Sequence, residues 1–122
     1  MPLLFVYGTL KRGDCRNYLL QNQNLVGEAT TVPGYRLFDL GAYPGLVEDP
    51  SGGSVRGELY DISADQLPAL DEEEGTDIGL YRRTFVPLAP PHDGQEVLTY
   101  VYLGDVCGRS DLGGYWRPRG QR

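Results

Sequence analysis

The chain has 122 residues and a formal net charge of −6 at pH 7, from 17 acidic and 11 basic side chains. This length suits one domain with its own hydrophobic core. The acidic balance argues against a general nucleic-acid role, because binding to phosphates depends on clusters of Lys and Arg.

The same composition bears on where the protein works. No apolar stretch approaches the roughly 20 residues that cross a bilayer, and the first residues lack the basic region of a signal peptide. The two cysteines have neither CxxC nor metal-ligand spacing, which fits a reducing compartment. We expect one cytoplasmic domain over residues 1–122 with no membrane or nucleic-acid partner.

An apolar strand and a glycine-containing loop open the chain. Residues 3–6 are all apolar, which predicts a buried strand, and the loop over residues 7–13 follows directly. Two glycines and a threonine in this loop would let main-chain N–H groups face outward and hold an anion. Short glycine motifs are also common in ordinary turns. From this stretch alone, an anion-binding loop and a simple turn both remain open.

The segment after the loop predicts a short helix. Asp14 is a candidate N-cap for a helix over residues 15–21, with Cys15, Tyr18 and Leu19 on its inner face. Cys15 has no base placed beside it by the sequence, so we interpret it as a small buried thiol and not as a nucleophile.

Strand patterns dominate the next part of the chain. Residues 25–32 and 35–40 are separated by Pro33-Gly34, which predicts a hairpin. Residues 41–47 mix chain breakers with apolar residues and are not among the predicted strands, and an exposed turn is expected at residues 49–53. Residues 55–62 alternate again, and Gly57 within them indicates a bulge or a close backbone approach.

A second helix is predicted from Ser63 to Glu74. Ser63 and Gln66 match a capping box, and Gly75 is a suitable stop. Pro68 should bend or shorten this helix, because it lacks an N–H group.

The last strands form a predicted hairpin, residues 81–88 and 96–103 joined by residues 89–94. From residue 104 the chain is rich in Gly, Arg, Ser and Asp, so we expect a loose tail, partly disordered from Arg117. The pattern as a whole predicts an α+β domain with two short helices and a mostly antiparallel, closed sheet.

One carboxylate of the second helix points differently from its neighbours. At about 100° per residue, Glu74 falls on the side of Leu67 and Leu70, and Asp71 is the other acid on that side. Glu73 falls away from the leucines, and Glu72 is expected in water. Partial burial and nearby like charges raise a carboxyl pKa, which suits general acid/base work near neutral pH. The spacing alone also permits a solvated helix end, as in most acidic runs.

Other residues are interpreted more simply. His92 lacks a second His or a triad and is expected at the surface. Arg83 is expected to anchor a carboxylate, and Glu58 to face solvent or pair with a basic neighbour. Four tyrosines are expected to pack in the core or across strands: Tyr43, Tyr60, Tyr100 and Tyr102.

Five short stretches, taken together, carry a family resemblance. They are Tyr-Gly-Thr-Leu at 7–10, Gly-Ala-Tyr-Pro at 41–44, Gly-Glu-Leu-Tyr at 57–60, Leu-Asp-Glu-Glu-Glu-Gly at 70–75 and Tyr-Arg-Arg at 81–83. In this order and spacing they resemble the gamma-glutamylcyclotransferase superfamily, and within it the AIG2-like and gamma-glutamylamine cyclotransferase branch. The combination is specific, although each stretch alone is a weak signal.

The resemblance implies a small mixed β-barrel with flanking helices and an enzyme that acts on a γ-glutamyl amine or related small amide. Such an enzyme releases 5-oxoproline and the leaving amine, without a metal or organic cofactor. Glu74 falls on the family's catalytic glutamate. The implied substrate-binding residues are Tyr7, Gly8, Thr9, Leu10 and Tyr81.

The sequence leaves two functional hypotheses open. Glu73 stands where the family often has an aromatic or apolar residue, and Gly114-Tyr115-Trp116 matches only loosely a Gly-Asp-Trp of some relatives. The chain is therefore either a γ-glutamyl cyclotransferase or a binding module with the same fold that does no chemistry. A Glu74 that faces a small cavity favours the enzyme, and a Glu74 in bulk water favours the binding module.

Overall fold

The computed structural model describes residues 2–117 of the chain. They form one α-helix, α1 (Leu67–Glu74), and three single-turn 3-10 helices. The 3-10 helices are Asn17–Leu20, Ala64–Gln66 and Thr76–Ile78. The strands are β1 (Leu3–Val6), β2 (Asn24–Thr30), β3 (Tyr35–Asp39), β4 (Pro44–Glu48), β5 (Arg56–Asp61), β6 (Tyr81–Phe85) and β7 (Val97–Tyr102). None of the helices within residues 2–117 is long and apolar enough to cross a membrane.

The central strand of the main sheet is β1. Five strands pair in the order β2-β5-β1-β7-β6, while β3 and β4 form a separate two-stranded sheet. β1 runs antiparallel to β5 and parallel to β7. Its residues Leu4, Phe5 and Val6 are buried because the sheet carries a hydrophobic cluster on each face. The loop that follows β1 therefore starts from a strand that is fixed on both faces and both edges.

The expected close approach at Gly57 is confirmed. β1 and β5 lie so near each other here that a Cβ on Gly57 would be 2.3 Å from the carbonyl oxygen of Val6 and 2.9 Å from the ring of Phe5. Glycine is required at this position because backbone and ring atoms already fill the space of a side chain.

The α+β class and the mostly antiparallel sheet are confirmed, but the closed barrel is not. β2 and β6 lie at opposite edges of the five-stranded sheet. An isolated antiparallel bridge joins Thr31 to Leu88, beyond the ends of these two strands. The sheet is therefore strongly curved in the direction of a barrel without continuous pairing between its edges.

The predicted hairpin between the second and third strands is wrong. β2 pairs with β5, and β3 pairs with β4. β4 was not among the predicted strands. Its proline is compatible with a strand because Pro44 is the first residue, where a missing N–H is tolerated. The predicted hairpin of β6 and β7 is confirmed.

The first predicted helix is also wrong in length and orientation. A single 3-10 turn, Asn17–Leu20, replaces it and has no side-chain cap. Successive turns precede it, with hydrogen bonds from the amide of Asp14 to the carbonyl of Lys11 and from that of Asn17 to the carbonyl of Asp14. Cys15 and Tyr18 are exposed, and Leu20 is the buried residue of this turn. The thiol predicted to be buried is therefore on the surface.

The second predicted helix is present but begins differently. Ser63 makes no capping hydrogen bond, and a 3-10 turn precedes α1. Pro68 lies in the first turn of α1, where its missing N–H would have no partner in any case. Gly75 ends the helix with a φ of 71°, as predicted. Leu70 is fully buried and fixes the inner face of the helix.

The tail is not loose over its described part. The amide of Leu112 donates to the carbonyl of Leu37, and the amide of Arg56 donates to the carbonyl of Gly114. Trp116 is 1% exposed and belongs to the hydrophobic cluster around Phe5. Composition suggested disorder, but one large aromatic residue provides enough apolar area to dock the segment. The residues after Arg117, where disorder was predicted to continue, lie outside the described residues.

Candidate active site

A cavity opens at the end of β1, with about 320 Å³ of space if the solvent at its mouth is included. All six residues that the sequence analysis singled out for the site line it. The lining residues are Phe5, Val6, Tyr7, Gly8, Thr9, Leu10, Tyr43, Pro44, Glu74, Tyr81 and Tyr100. The fold thus brings the end of α1 to the loop after β1 across a long separation in sequence.

The loop after β1 is held by turns that leave part of its backbone unused. The amides of Lys11 and Arg16 donate to the carbonyl oxygens of Gly8 and Thr9, at 3.0 and 2.9 Å. In contrast, none of the turn and loop hydrogen bonds within residues 2–117 has the amide of residue 8, 9 or 10 as its donor. Three consecutive N–H groups at the cavity are therefore available to an anionic ligand.

Gly8 is required for the shape of the cavity. A Cβ on this residue would lie 2.6 Å from Cγ of Pro44, the first residue of β4. The glycine thus allows the loop to approach β4 closely, and a larger residue would push the two walls apart.

Glu74 is the last residue of α1, and its side chain is only 16% exposed. Glu72 and Glu73 are exposed, as the helical spacing predicted. Burial raises the pKa of Glu74 from 4.5 to about 7, while the guanidinium of Arg16 opposes this and the charge of Glu73 adds to it. The distance from Arg16 Nη1 to Glu74 Oε2 is 3.7 Å. A carboxyl group with this pKa both accepts and donates protons near neutral pH.

Two tyrosines give the cavity its walls and keep their hydroxyl groups engaged elsewhere. Tyr7 Oη donates to the carbonyl of Tyr100 at 2.6 Å and accepts from the amide of Leu46 at 3.3 Å. Tyr81 Oη donates to the carbonyl of Pro44 at 2.7 Å. Burial raises the pKa of both phenols, so they stay neutral. Both tyrosines therefore present their rings to a ligand, and their hydroxyls hold the surrounding strands.

Sequence reasoning missed a second polar group beside the cavity. Tyr100, expected only to pack, lines the cavity, and its hydroxyl donates to Asp71 Oδ1 at 2.8 Å. Arg83 Nη1 donates to Asp71 Oδ2 at 2.8 Å, which confirms the expected anchoring of a carboxylate. Asp71 was expected on the same side of α1 as Glu74, but its contact with Tyr100 beside the cavity was not predicted.

Tyr43 and Arg16 were also missed as neighbours of the site. Tyr43, expected to pack, lines the cavity, and the guanidinium carbon of Arg16 lies 5.6 Å from the centre of its ring. No pattern in the sequence marked Arg16. Its position depends on the turns after Gly13, where a helix was predicted.

The remaining candidates lie away from the cavity. Glu58 is buried and accepts from the amide and Nε of Arg12, at 2.8 and 3.1 Å, so the expected basic neighbour is confirmed. His92 lies in the connection between β6 and β7 and is only partly exposed. Residues 2–117 contain no group of three or more His, Cys, Asp or Glu side chains placed to hold a metal ion.

Comparison with known proteins agrees with this geometry. The family model described as gamma-glutamyl cyclotransferase, AIG2-like, matches residues 4–118. The gamma-glutamylcyclotransferase family protein ytfP of Citrobacter rodentium is 34% identical over 119 residues, which cover 97% of each chain. The gamma-L-glutamyl-butirosin B gamma-glutamyl cyclotransferase of Niallia circulans is 37% identical over 75 residues, 61% of this chain and 46% of the relative.

A solved structure extends the likeness to the whole described fold. The crystal structure of an AIG2-like protein from Mus musculus aligns with a TM-score of 0.81 and 25% identity, covering 100% of this chain and 99% of that chain. The family model, the relatives and the fold lead to the same assignment. The chain belongs to the AIG2-like gamma-glutamyl cyclotransferase family.

Proposed function

We propose that this protein is a γ-glutamyl cyclotransferase that acts on a γ-glutamyl amine or a related small amide. One observation carries the proposal: Glu74, with its pKa raised to about 7 by burial, lines the same small cavity as residues 7–10. Membership of the family and the activity named for the Niallia circulans relative support the reaction class. The burial of Glu74 is also the feature that favours an enzyme over a binding module without chemistry.

The reaction is an intramolecular attack that consumes no water. Glu74 accepts a proton from the substrate's α-ammonium group, and the freed amine attacks the γ-carbonyl carbon, forming the ring C–N bond. The original amide C–N bond then breaks as Glu74 returns a proton to the leaving nitrogen. The attacking nitrogen loses two protons in all and the leaving nitrogen gains two, so 5-oxoproline and a protonated amine are released. Such proton transfer contributes about 10² to 10⁴-fold in rate.

The loop at residues 8–10 is proposed to bind negative charge. Its unused N–H groups can receive the substrate's α-carboxylate or the oxyanion that develops on the γ-carbonyl. Backbone groups provide this without a formal positive charge, which would hold the pKa of Glu74 down. Because nucleophile and carbonyl are in one molecule, holding the substrate in a bent conformation supplies several kcal/mol of the rate enhancement, on the order seen for oriented intramolecular reactions.

The rings of Tyr7 and Tyr81 are proposed to enclose the aliphatic part of the γ-glutamyl group. Their hydroxyls are bound to main-chain groups, so each ring has one fixed orientation. They are neutral and leave Glu74 as the one carboxyl among the described residues that line the cavity. Water is displaced from this surface when a substrate binds, which strengthens the remaining polar contacts.

A substrate panel tests the proposal. Purified protein is incubated with γ-glutamyl-lysine, γ-glutamyl-alanine and glutathione, and 5-oxoproline is measured by chromatography with mass detection. We expect equimolar 5-oxoproline and free amine from at least one γ-glutamyl compound and none from the matching α-glutamyl peptides, which cannot form this ring by the same attack. If no γ-glutamyl compound in a broad panel gives 5-oxoproline, the proposed reaction is wrong.

A further inference from the structure

Near the C-terminal end of the described chain, Tyr115 and Trp116 contact the loop at residues 7–16. We call residues 114–116 the brace. None of the three lines the cavity. The brace is attached to the main sheet, because the carbonyl of Gly114 accepts from the amide of Arg56 at the start of β5, at 2.8 Å. It therefore joins a fixed part of the fold to the loop.

Two buried hydrogen bonds connect the brace to the loop. Trp116 Nε1 donates to Asp14 Oδ2 at 2.8 Å. Lys11 Nζ donates to the carbonyl of Trp116 and lies 3.9 Å from the centre of the Tyr115 ring. Asp14 and Lys11 are each 2% exposed, and Trp116 is 1% exposed. Charged groups at such depth hold their geometry tightly, because a broken contact would leave a buried charge without compensation.

The carboxylate of Asp14 passes this restraint to the cavity wall. Its other oxygen, Oδ1, accepts from the amide of Cys15 at 2.7 Å. The next amide, that of Arg16, donates to the carbonyl of Thr9 at 2.9 Å. A series of contacts thus runs from the indole of Trp116 through Asp14 to Thr9. Thr9 belongs to residues 8–10, whose amides donate no hydrogen bond within the loop.

We propose that Trp116, Asp14 and Lys11 are positioning residues for the substrate. They hold the loop so that the N–H groups of residues 8–10 face the bound γ-glutamyl group, although they do not touch it themselves. This inference rests on the proposed function of the cavity. The brace does not contact Glu74, and the inference takes the α-carboxylate as the group that the loop holds. Because this group is present before the reaction starts, loss of the brace weakens substrate binding more than it slows turnover.

Asp14→Asn tests the brace with minimal change in shape. Asparagine retains one acceptor oxygen for the amide of Cys15 but turns an NH₂ group towards the indole N–H, so two donors face each other. The matched control is Asp111→Asn, an identical change upstream in the same tail. Asp111 accepts from Arg36 Nη1 and from the amide of Gly113, both at 2.8 Å, and within residues 2–117 no hydrogen bond joins its side chain to residues 7–16. Wild type and both variants are compared by steady-state kinetics and by amide hydrogen exchange of residues 8–16.

For Asp14→Asn we expect KM to rise about tenfold or more, because a lost hydrogen bond to a buried charge has effects of that order. We expect kcat within about threefold of wild type and faster exchange of the loop amides. Asp111→Asn should behave as wild type. If Asp14→Asn leaves loop exchange unchanged, or lowers kcat instead of raising KM, the inference is wrong.

Trp116→Phe provides a second variant, which removes the indole N–H and keeps an aromatic ring. Asp14→Asn and Trp116→Phe break the same hydrogen bond. The KM of the double variant should therefore be no higher than that of the worse single variant, and additive increases in KM would contradict the role of the brace. Exchange does not require turnover, so the two proposals fail separately. A wild type that forms no 5-oxoproline counts against the proposed function, whereas unchanged exchange in both single variants counts against the brace.

Discussion

Replacing Arg16 by methionine should raise the pKa of Glu74 further. The guanidinium Nη1 of Arg16 lies 3.7 Å from Glu74 Oε2 and favours the ionised carboxylate. Methionine has a similar length and no charge, and the backbone hydrogen bond from the amide of residue 16 to Thr9 does not depend on the side chain. The substitution therefore removes a charge and leaves the loop contact in place.

The size of this effect follows from the geometry. Two unit charges about 4 Å apart interact by about 1 kcal/mol in water and about 4 kcal/mol near a protein surface. The side chains of Arg16 and Glu74 are 26% and 16% exposed, so solvent screens the pair only in part and about 1 kcal/mol is a lower bound for their interaction. An interaction of about 1 kcal/mol corresponds to a shift of roughly 0.5 to 1 pH unit in the pKa of Glu74.

The assay is the pH dependence of kcat/KM. Glu74 must be ionised to accept the proton of the α-ammonium group, so activity should rise through its pKa, with a midpoint near 7 in the wild type. In Arg16→Met the midpoint should move upward. Arg82→Met is the control, because Arg82 is 57% exposed and lies 3.9 Å from Glu48, away from the cavity. An unchanged or lower midpoint in Arg16→Met would refute the assignment of the titrating group.

Two further predictions concern stability. Glu74→Gln should unfold like wild type at pH 4 but be more stable at pH 8, by up to about 3 kcal/mol. Burial raises the pKa of Glu74 from 4.5 to about 7, so the stability that its protonated form supplies is lost as pH rises through that interval. Urea unfolding at both pH values tests this, with the exposed Glu72→Gln as the control. An equal gain in stability at pH 4 and pH 8 would contradict the prediction. Gly57→Ala should destabilise the folded protein by about 1 to 3 kcal/mol, because the new Cβ would meet the carbonyl of Val6. Thermal unfolding measures this, and Gly53→Ala is the control because a Cβ there has no neighbour within 4 Å. Equal melting temperatures for the two alanine variants would show that the β1–β5 contact is not tight.

Much of the site could be predicted because its parts are encoded locally. The direction of Glu74 follows from helical spacing relative to Leu70, and both residues lie where that spacing puts them. The strand β7 follows from an uninterrupted run of β-branched, aromatic and aliphatic residues. Such signals need no knowledge of which elements become neighbours.

The features that were missed depend on contacts between distant segments. Nothing in the local pattern of β2 states that its partner is β5 and not the next strand in the chain. Arg16 reaches Glu74 only because turns replace the helix predicted after Gly13, a glycine with a φ of 82°. The tail was judged by composition, which carries no information about the bond between Trp116 and Asp14.

The most direct test of the central claim compares three substitutions in one helix: Glu74→Gln, Glu73→Gln and Glu72→Gln. Each removes one carboxylate from the same acidic run, but only Glu74 lines the cavity. With the γ-glutamyl compound that the wild type converts, Glu74→Gln should fold and lose about 10² to 10⁴-fold in kcat, and the other two should keep most activity. Equal losses in all three variants, or full activity in Glu74→Gln, would contradict the role of Glu74 as the acid/base of a γ-glutamyl cyclotransferase.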